Sequence, residues 1–120
     1  MRQNPYNMKK KTKKDISILC LTLKRKWFDM IAKGIKKEEY RTIKSYWTKR
    51  LFTKVPIEME AYRPNHFDEI IFKNGYAKDA PTMTVECKGI GIGKAKAKWS
   101  DNWKGKVIII YLGKIKQIHY

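Results

Sequence analysis

The first apolar run of the chain is Ile16-Ser-Ile-Leu-Cys-Leu-Thr-Leu23. It alternates weakly and is rich in aliphatic and β-branched residues, which predicts a largely buried strand. Trp27, Met30 and Ile31 then recur at helical spacing, with Lys24, Lys26 and Lys33 on other faces. That pattern predicts a short amphipathic helix over 24–33, stopped by Gly34. Glu38 to Thr42 reads as a short strand. Tyr46 to Thr53 reads as a second short helix, bracketed by Ser45 and Pro56. Residues 55–67 contain Pro56 and Pro64 and read as a loop.

The second half carries strand patterns. Asp68-Glu-Ile-Ile-Phe-Lys73 runs into Asn74-Gly75, a strong hairpin-turn signal. Thr82 to Lys88 alternates with one face to a core. Gly89, Gly91 and Gly93 suggest a strand that bends or bulges, as at a barrel corner. Val107 to Leu112 is a further strand, ended by Gly113, and Ile115 to His119 is a candidate last one. Five or six short strands with two helices near the start predict a small mixed α/β barrel, predominantly β, and not a βαβ layer fold.

Charge sharpens this picture. The 120 residues carry a formal net charge of +17, a field whose usual partners are nucleic acid or another anionic surface. Six of the cations fall in residues 1–14 without an acid, which reads as a basic flexible tail ahead of one domain over 15–120. Residues 24–54 hold eleven basic side chains against Asp29, Glu38 and Glu39, and 55–120 hold eleven against seven. The basic character therefore centres on the first half. No apolar run reaches the roughly 18 residues of a membrane span. The basic start has no apolar segment behind it, so a cytoplasmic protein is expected. Cys20 and Cys87 each lie inside an apolar run and are expected to be reduced and buried. With two Cys and two His far apart, neither a metal nor a cofactor is expected.

The chemistry concentrates in Gly34-Ile35-Lys36-Lys37-Glu38-Glu39-Tyr40-Arg41. Glu39 and Arg41 lie two apart in a predicted strand and share a face, joined by Lys37 if the strand starts early. Lys36 sits on the tight connection after Gly34. A Lys and an Arg beside a carboxylate can hold phosphate while the carboxylate orients a base edge or a water. The same residues can instead form an Arg–Glu brace with Lys36 in solvent. Tyr46 and Trp47, flanked by Lys44, Lys49 and Arg50, are candidates to stack bases. Trp27 reads as core, and Trp99 and Trp103 read equally as barrel closure or cleft edge.

The order of strand, helix ending in Gly34, and Gly34-x-Lys36-x-x-Glu39-x-Arg41 resembles the ASCH (activating-signal-cointegrator homology) domain family. Phe72-Lys-Asn-Gly75, Thr84-x-Glu86 and Ile109-Ile-Tyr-Leu-Gly113 fall where that family has its later strands. The resemblance covers residues 16–115, and its specificity rests on the eight-residue motif. It implies a PUA-like pseudo-barrel of five to six strands, with a cleft between barrel and helices. It also implies RNA-related work: RNA binding, hydrolysis of acetylated cytidine, or cleavage of single-stranded RNA. Two departures bear on the amidohydrolase branch. The residue three after Lys36 is Glu39 where that branch has Thr, and Asp101 is the only acid in the segment before Val107.

The expected function is therefore RNA binding in a basic cleft, with no membrane partner. Lys36, Glu39, Tyr40 and Arg41 would line the cleft, with Lys24, Lys44, Tyr46, Trp47, Lys49 and Arg50 around them. Lys36 and Glu39 are the candidate catalytic pair if the cleft is a hydrolase site for single-stranded RNA or an acylated nucleoside. A third reading is a protein-interaction module with an acidic partner. The oligomeric state has no signature in the sequence.

Overall fold

The computed structural model describes residues 15–55 and 61–120. In chain order it comprises β1 (Ile18–Leu23), α1 (Arg25–Ala32), β2 (Glu38–Arg41), α2 (Ser45–Leu51), β3 (Phe52–Val55), β4 (Ala61–Pro64), β5 (Glu69–Asn74), β6 (Thr82–Lys94), a 3-10 turn (Ala97–Trp99) and β7 (Lys106–His119). Five strands form a curled half-barrel sheet in the order β1-β5-β6-β7-β2. The β1–β5 pair is parallel and the others are antiparallel. A separate antiparallel ribbon pairs β3 with β4. The expected fold class, a β-dominated pseudo-barrel with two short helices, is what the chain adopts. The basic tail expected over 1–14 lies outside the described residues.

The first helix ends as its sequence dictates. Gly34 takes φ +76°, open to glycine and costly for other residues. In that conformation the Ile35 N–H reaches the Met30 carbonyl at 2.9 Å and the Gly34 N–H reaches the Ile31 carbonyl at 2.9 Å. This double closure satisfies two of the last carbonyls of α1 and turns the chain straight into β2.

The apolar run of β7 packs on both faces. Ile108, Ile110 and Leu112 join Leu19, Leu21, Phe28, Ile70, Phe72 and Val85 in the main core. Val107 and Ile109 pack on the other side with Tyr40 and Trp99. A strand covered on both faces reads as a continuous apolar run. The β6–β7 ladder slips register at Thr84/Val85, Val85/Cys87 and Cys87/Gly89. Such bulges add local twist, in keeping with the curl of the sheet.

Several local expectations are corrected. β1 is half-buried: Leu19, Leu21 and Leu23 point inward while Ile18 is exposed. Cys20 is exposed and Cys87 is half-buried, so the expectation of two buried thiols fails because β1 is an edge strand covered on one face. Gly113 does not end a strand. β7 runs through it, and a Cβ there would sit 2.2 Å from Glu86 Oε1. Asn74-Gly75 does begin the β5–β6 connection, but strand pairing resumes only at Lys73↔Thr82, so the link is a longer loop. The expected loop over 55–67 contains part of the β3–β4 ribbon, and α2 ends two residues earlier than expected, at Leu51. Among the described residues, no helix is long and apolar enough to cross a membrane.

Candidate functional site

β1 and β2 are the two edges of the half-barrel. The Arg41 side chain spans the seam between them. Its Nη2 donates to the Thr22 carbonyl of β1 at 3.1 Å and to Glu39 Oε2 at 2.9 Å. Glu39 and Arg41 therefore share a face, as alternation requires. Glu39 Oε1 lies 3.3 Å from Lys36 Nζ, and the Glu39 side chain is 8% exposed.

Lys36 is not solvated. Its side chain is 1% exposed, and Nζ also donates to the Trp99 carbonyl at 2.9 Å and to the Glu38 carbonyl. It sits 4.7 Å from the centre of the Tyr40 ring and 5.1 Å from that of Trp27. Burial pushes the ammonium below its ordinary value, and the Glu39 carboxylate pulls the other way. With three acceptors and two aromatic faces around it, Lys36 braces β2 against the 3-10 turn. The motif is thus a buried Lys–Glu–Arg chain that ties α1, β1, β2 and the turn at Trp99 into one corner.

Tyr40 is pinned in the same corner. Its hydroxyl donates to Glu38 Oε1 at 2.7 Å and accepts the Lys96 N–H at 3.1 Å. Burial raises the phenol well above its ordinary value, with Glu38 reinforcing the shift and the Lys96 N–H opposing it. The hydroxyl therefore stays protonated at neutral pH.

A cleft of about 650 Å³ opens over this corner at the seam, within the roughly 300–1,000 Å³ of small-ligand sites. The chain has four tryptophans, and all four, Trp27, Trp47, Trp99 and Trp103, line the cleft. Its polar wall is Glu39, Arg41, Lys24, Lys44 and Asp101, with Tyr76 on the β5–β6 loop at another side. Asp101 lies 3.6 Å from Lys24 Nζ and 3.7 Å from Lys26 Nζ, exposed pairs that contribute little to stability. The Arg41 guanidinium stacks 4.8 Å from the Trp47 ring centre. Among the described residues, Arg41 Nε and Trp99 Nε1 are buried donors without an acceptor. The wall thus offers flat apolar faces, a cation and a carboxylate at short range, which suits a planar, polar-edged ligand.

The sequence-derived candidates divide. Lys24, Glu39, Tyr40, Arg41, Lys44 and Trp47 line the cleft. Lys36 lies beneath it. Tyr46, Lys49 and Arg50 sit on the exposed surface of α2, outside it. Trp27 is both 9% exposed core and cleft wall. Trp103 lines the wall, Trp99 is both buried core and wall, and the sequence reading does not place Thr22, Tyr76 or Asp101 there. Among the described residues, no group of three or more His, Cys, Asp or Glu is placed to hold a metal ion. Comparison with known protein families, characterised proteins and solved structures yields no match for this chain.

Proposed function

We propose that the protein binds RNA and that the seam cleft takes an unstacked base. One observation carries the reading: every tryptophan of a strongly basic chain faces a single cleft, beside Arg41 and Glu39. Aromatic walls stack bases irrespective of sequence. A guanidinium and a carboxylate at the same wall can meet phosphate or base edges. The ASCH resemblance and a cytoplasmic setting belong to this same proposal.

The hydrolase reading, with single-stranded RNA or an acylated nucleoside as substrate, uses the same cleft. It draws less support from the geometry. Lys36, its candidate nucleophile or base, has its ammonium engaged by three acceptors and covered by Trp27 and Tyr40. The acidic-partner reading gives the tryptophans no role.

The test is fluorescence anisotropy with a labelled single-stranded RNA across a salt series. Trp103→Ala and Trp47→Ala should each weaken binding by about 1–3 kcal/mol, the value of one stacked base. Deleting residues 1–14 removes six cations. It should flatten the slope of log K against log salt by up to about 4 while leaving the tryptophan effect intact. Binding that tracks net charge and ignores both tryptophans refutes the reading. Shortened RNA recovered from wild type, and intact RNA from Lys36→Met, would instead favour the hydrolase.

A further inference from the structure

The cleft does not end at Trp47. Arg41 stacks on one side of that ring, and Arg50 lies 5.6 Å from its centre. Tyr46 meets Trp47 edge-to-face at 4.8 Å, and Arg50 lies 5.4 Å from the Tyr46 ring centre while donating to its hydroxyl at 2.7 Å. Alternating guanidinium and aromatic planes thus lead out of the cleft onto α2. Tyr46 is 56% exposed there, a large apolar face with no core to cover it.

The β3–β4 ribbon is attached to the end of the same helix. Asn65, just past β4, donates through Nδ2 to the Arg50 carbonyl at 3.0 Å and through its backbone N–H to the Leu51 carbonyl at 2.8 Å. Thr53 donates to the Asn65 side-chain oxygen. The ribbon is therefore fixed to the end of α2 by its Thr53 side. Thr53 opposes Arg63 in the ladder, and opposed residues share a face. Lys54 and Tyr62 oppose each other one step along and so lie on the other face. The described residues from 42 to 67 carry five cations and no acid; Glu58 and Glu60 fall in the undescribed 56–60.

We infer that the α2 surface and the Arg63 face of the ribbon form a track for the single strand leading away from the base in the cleft. Tyr46 and the Arg50 guanidinium offer stacking planes, and Arg50, Lys49 and Arg63 meet phosphates. This rests on the RNA reading of the cleft but adds a second surface that adjoins it through Trp47. Aromatic planes interleaved with cations suit a nucleic-acid strand. An acidic polypeptide would use the cations alone.

The test compares a trinucleotide, which can occupy the cleft but not the whole track, with an RNA of about 12 nucleotides, within the usual site size of single-strand binders. Arg50→Gln/Arg63→Gln should lower the salt slope of the longer RNA by about 1.4, from two lost phosphate contacts. Tyr46→Ala should weaken the longer RNA about tenfold. Neither change should alter trinucleotide affinity by more than about twofold. Lys88→Gln/Lys114→Gln, with the same loss of charge on β6 and β7, is the control and should change the slope less. If the track variants match that control, the inference fails while the cleft reading stands. If a poly-glutamate peptide competes as well as RNA, the surface is an acidic-protein site and the inference fails. If wild type binds neither RNA, both readings fall.

Discussion

The Lys36–Glu39–Arg41 chain makes a sharp energetic claim, tested by Glu39→Gln. The substitution keeps the shape and one carbonyl acceptor but removes the negative charge. In the native corner that charge sits 3.3 Å from Lys36 Nζ and 2.9 Å from Arg41 Nη2. At an effective dielectric of about 20, each contact carries roughly 5 kcal/mol of attraction. Much of this offsets the desolvation of three charges, so the intact chain contributes little net stability. Without Glu39 that balance is lost. One ammonium that is 1% exposed and one guanidinium that is 16% exposed lose their shared counter-ion, and only the more distant Glu38 carboxylate still acts on Lys36. The expected cost is about 3–5 kcal/mol, the range for breaking a buried pair. With a urea slope of roughly 1.5 kcal/mol/M, the midpoint should fall by about 2–3 M.

Lys36→Met separates this mechanism from simple loss of packing. Met fills similar volume, and Glu39 keeps its partner in Arg41. The Glu38 and Trp99 carbonyls lose a donor, at about 1–3 kcal/mol, but the desolvation of an ammonium is also removed. Its net cost should be near 1 kcal/mol, well below that of Glu39→Gln. Equilibrium urea unfolding followed by tryptophan fluorescence reads both. If Lys36→Met is as damaging as Glu39→Gln, or if both change stability by less than about 0.5 kcal/mol, the charge argument is wrong.

Other expectations follow from the same corner. Arg41→Lys should cost about 1–3 kcal/mol, because one ammonium cannot stack on Trp47 while reaching both Thr22 and Glu39; hydrogen exchange should quicken along β1 and β2, and unchanged protection there would disprove the seam. Lys36 has a lowered native value, so between that value and 10.5 the unfolded chain binds more protons and stability should rise with pH, a rise that Lys36→Met should lack. Tyr40 has the opposite sign: its raised native value gives stability that is complete below pH 10 and declines as pH climbs above it, and Tyr40→Phe should remove that decline in alkaline urea melts. Gly34→Ala places a Cβ at φ +76° and should cost about 1–2 kcal/mol, read by calorimetry as a Tm lower by roughly 5 °C or more.

Much of this corner was legible in the sequence because it is local. Gly34 stops α1, and the two-residue spacing puts Glu39 and Arg41 on one face; both need only backbone periodicity. The depth of Lys36 was not legible, since its cover comes from Trp27 on α1 and from a carbonyl 63 residues later. The aromatic wall was hidden for the same reason. Its four tryptophans come from α1, α2, the 3-10 turn and the segment after it, and no spacing links them. The ribbon escaped notice because Pro56 falls between its strands in sequence and Pro64 within β4, yet Pro64 is tolerated at the last position of β4 in a ribbon that, among the described residues, pairs only with itself. Gly113 suggested a strand end because glycine usually weakens a strand. Here it sits amid register slips and makes room for Glu86 and Lys88.

The seam explains why structural and binding roles converge on so few residues. A five-stranded sheet this curled has two free edges, and a free edge is a liability unless covered or bridged. Closing the barrel with further ladder bonds would fill the seam. Bridging it with the Arg41 side chain leaves the edges apart and the cleft between them open. The bridge must be held by a carboxylate, and the carboxylate must be balanced from beneath, which is the place of Lys36. Alanine substitutions at Lys36, Glu39 or Arg41 therefore perturb the frame and the wall together, and lost RNA binding in those variants says little about contact. Trp103 does not share this ambiguity. It is 37% exposed and, among the described residues, belongs to neither core cluster and makes one tilted ring contact, at 6.5 Å, with Tyr40. Trp103→Ala should leave the urea midpoint nearly unchanged while weakening RNA, and a variant that keeps both its fold and its full affinity would remove the aromatic wall from the binding site.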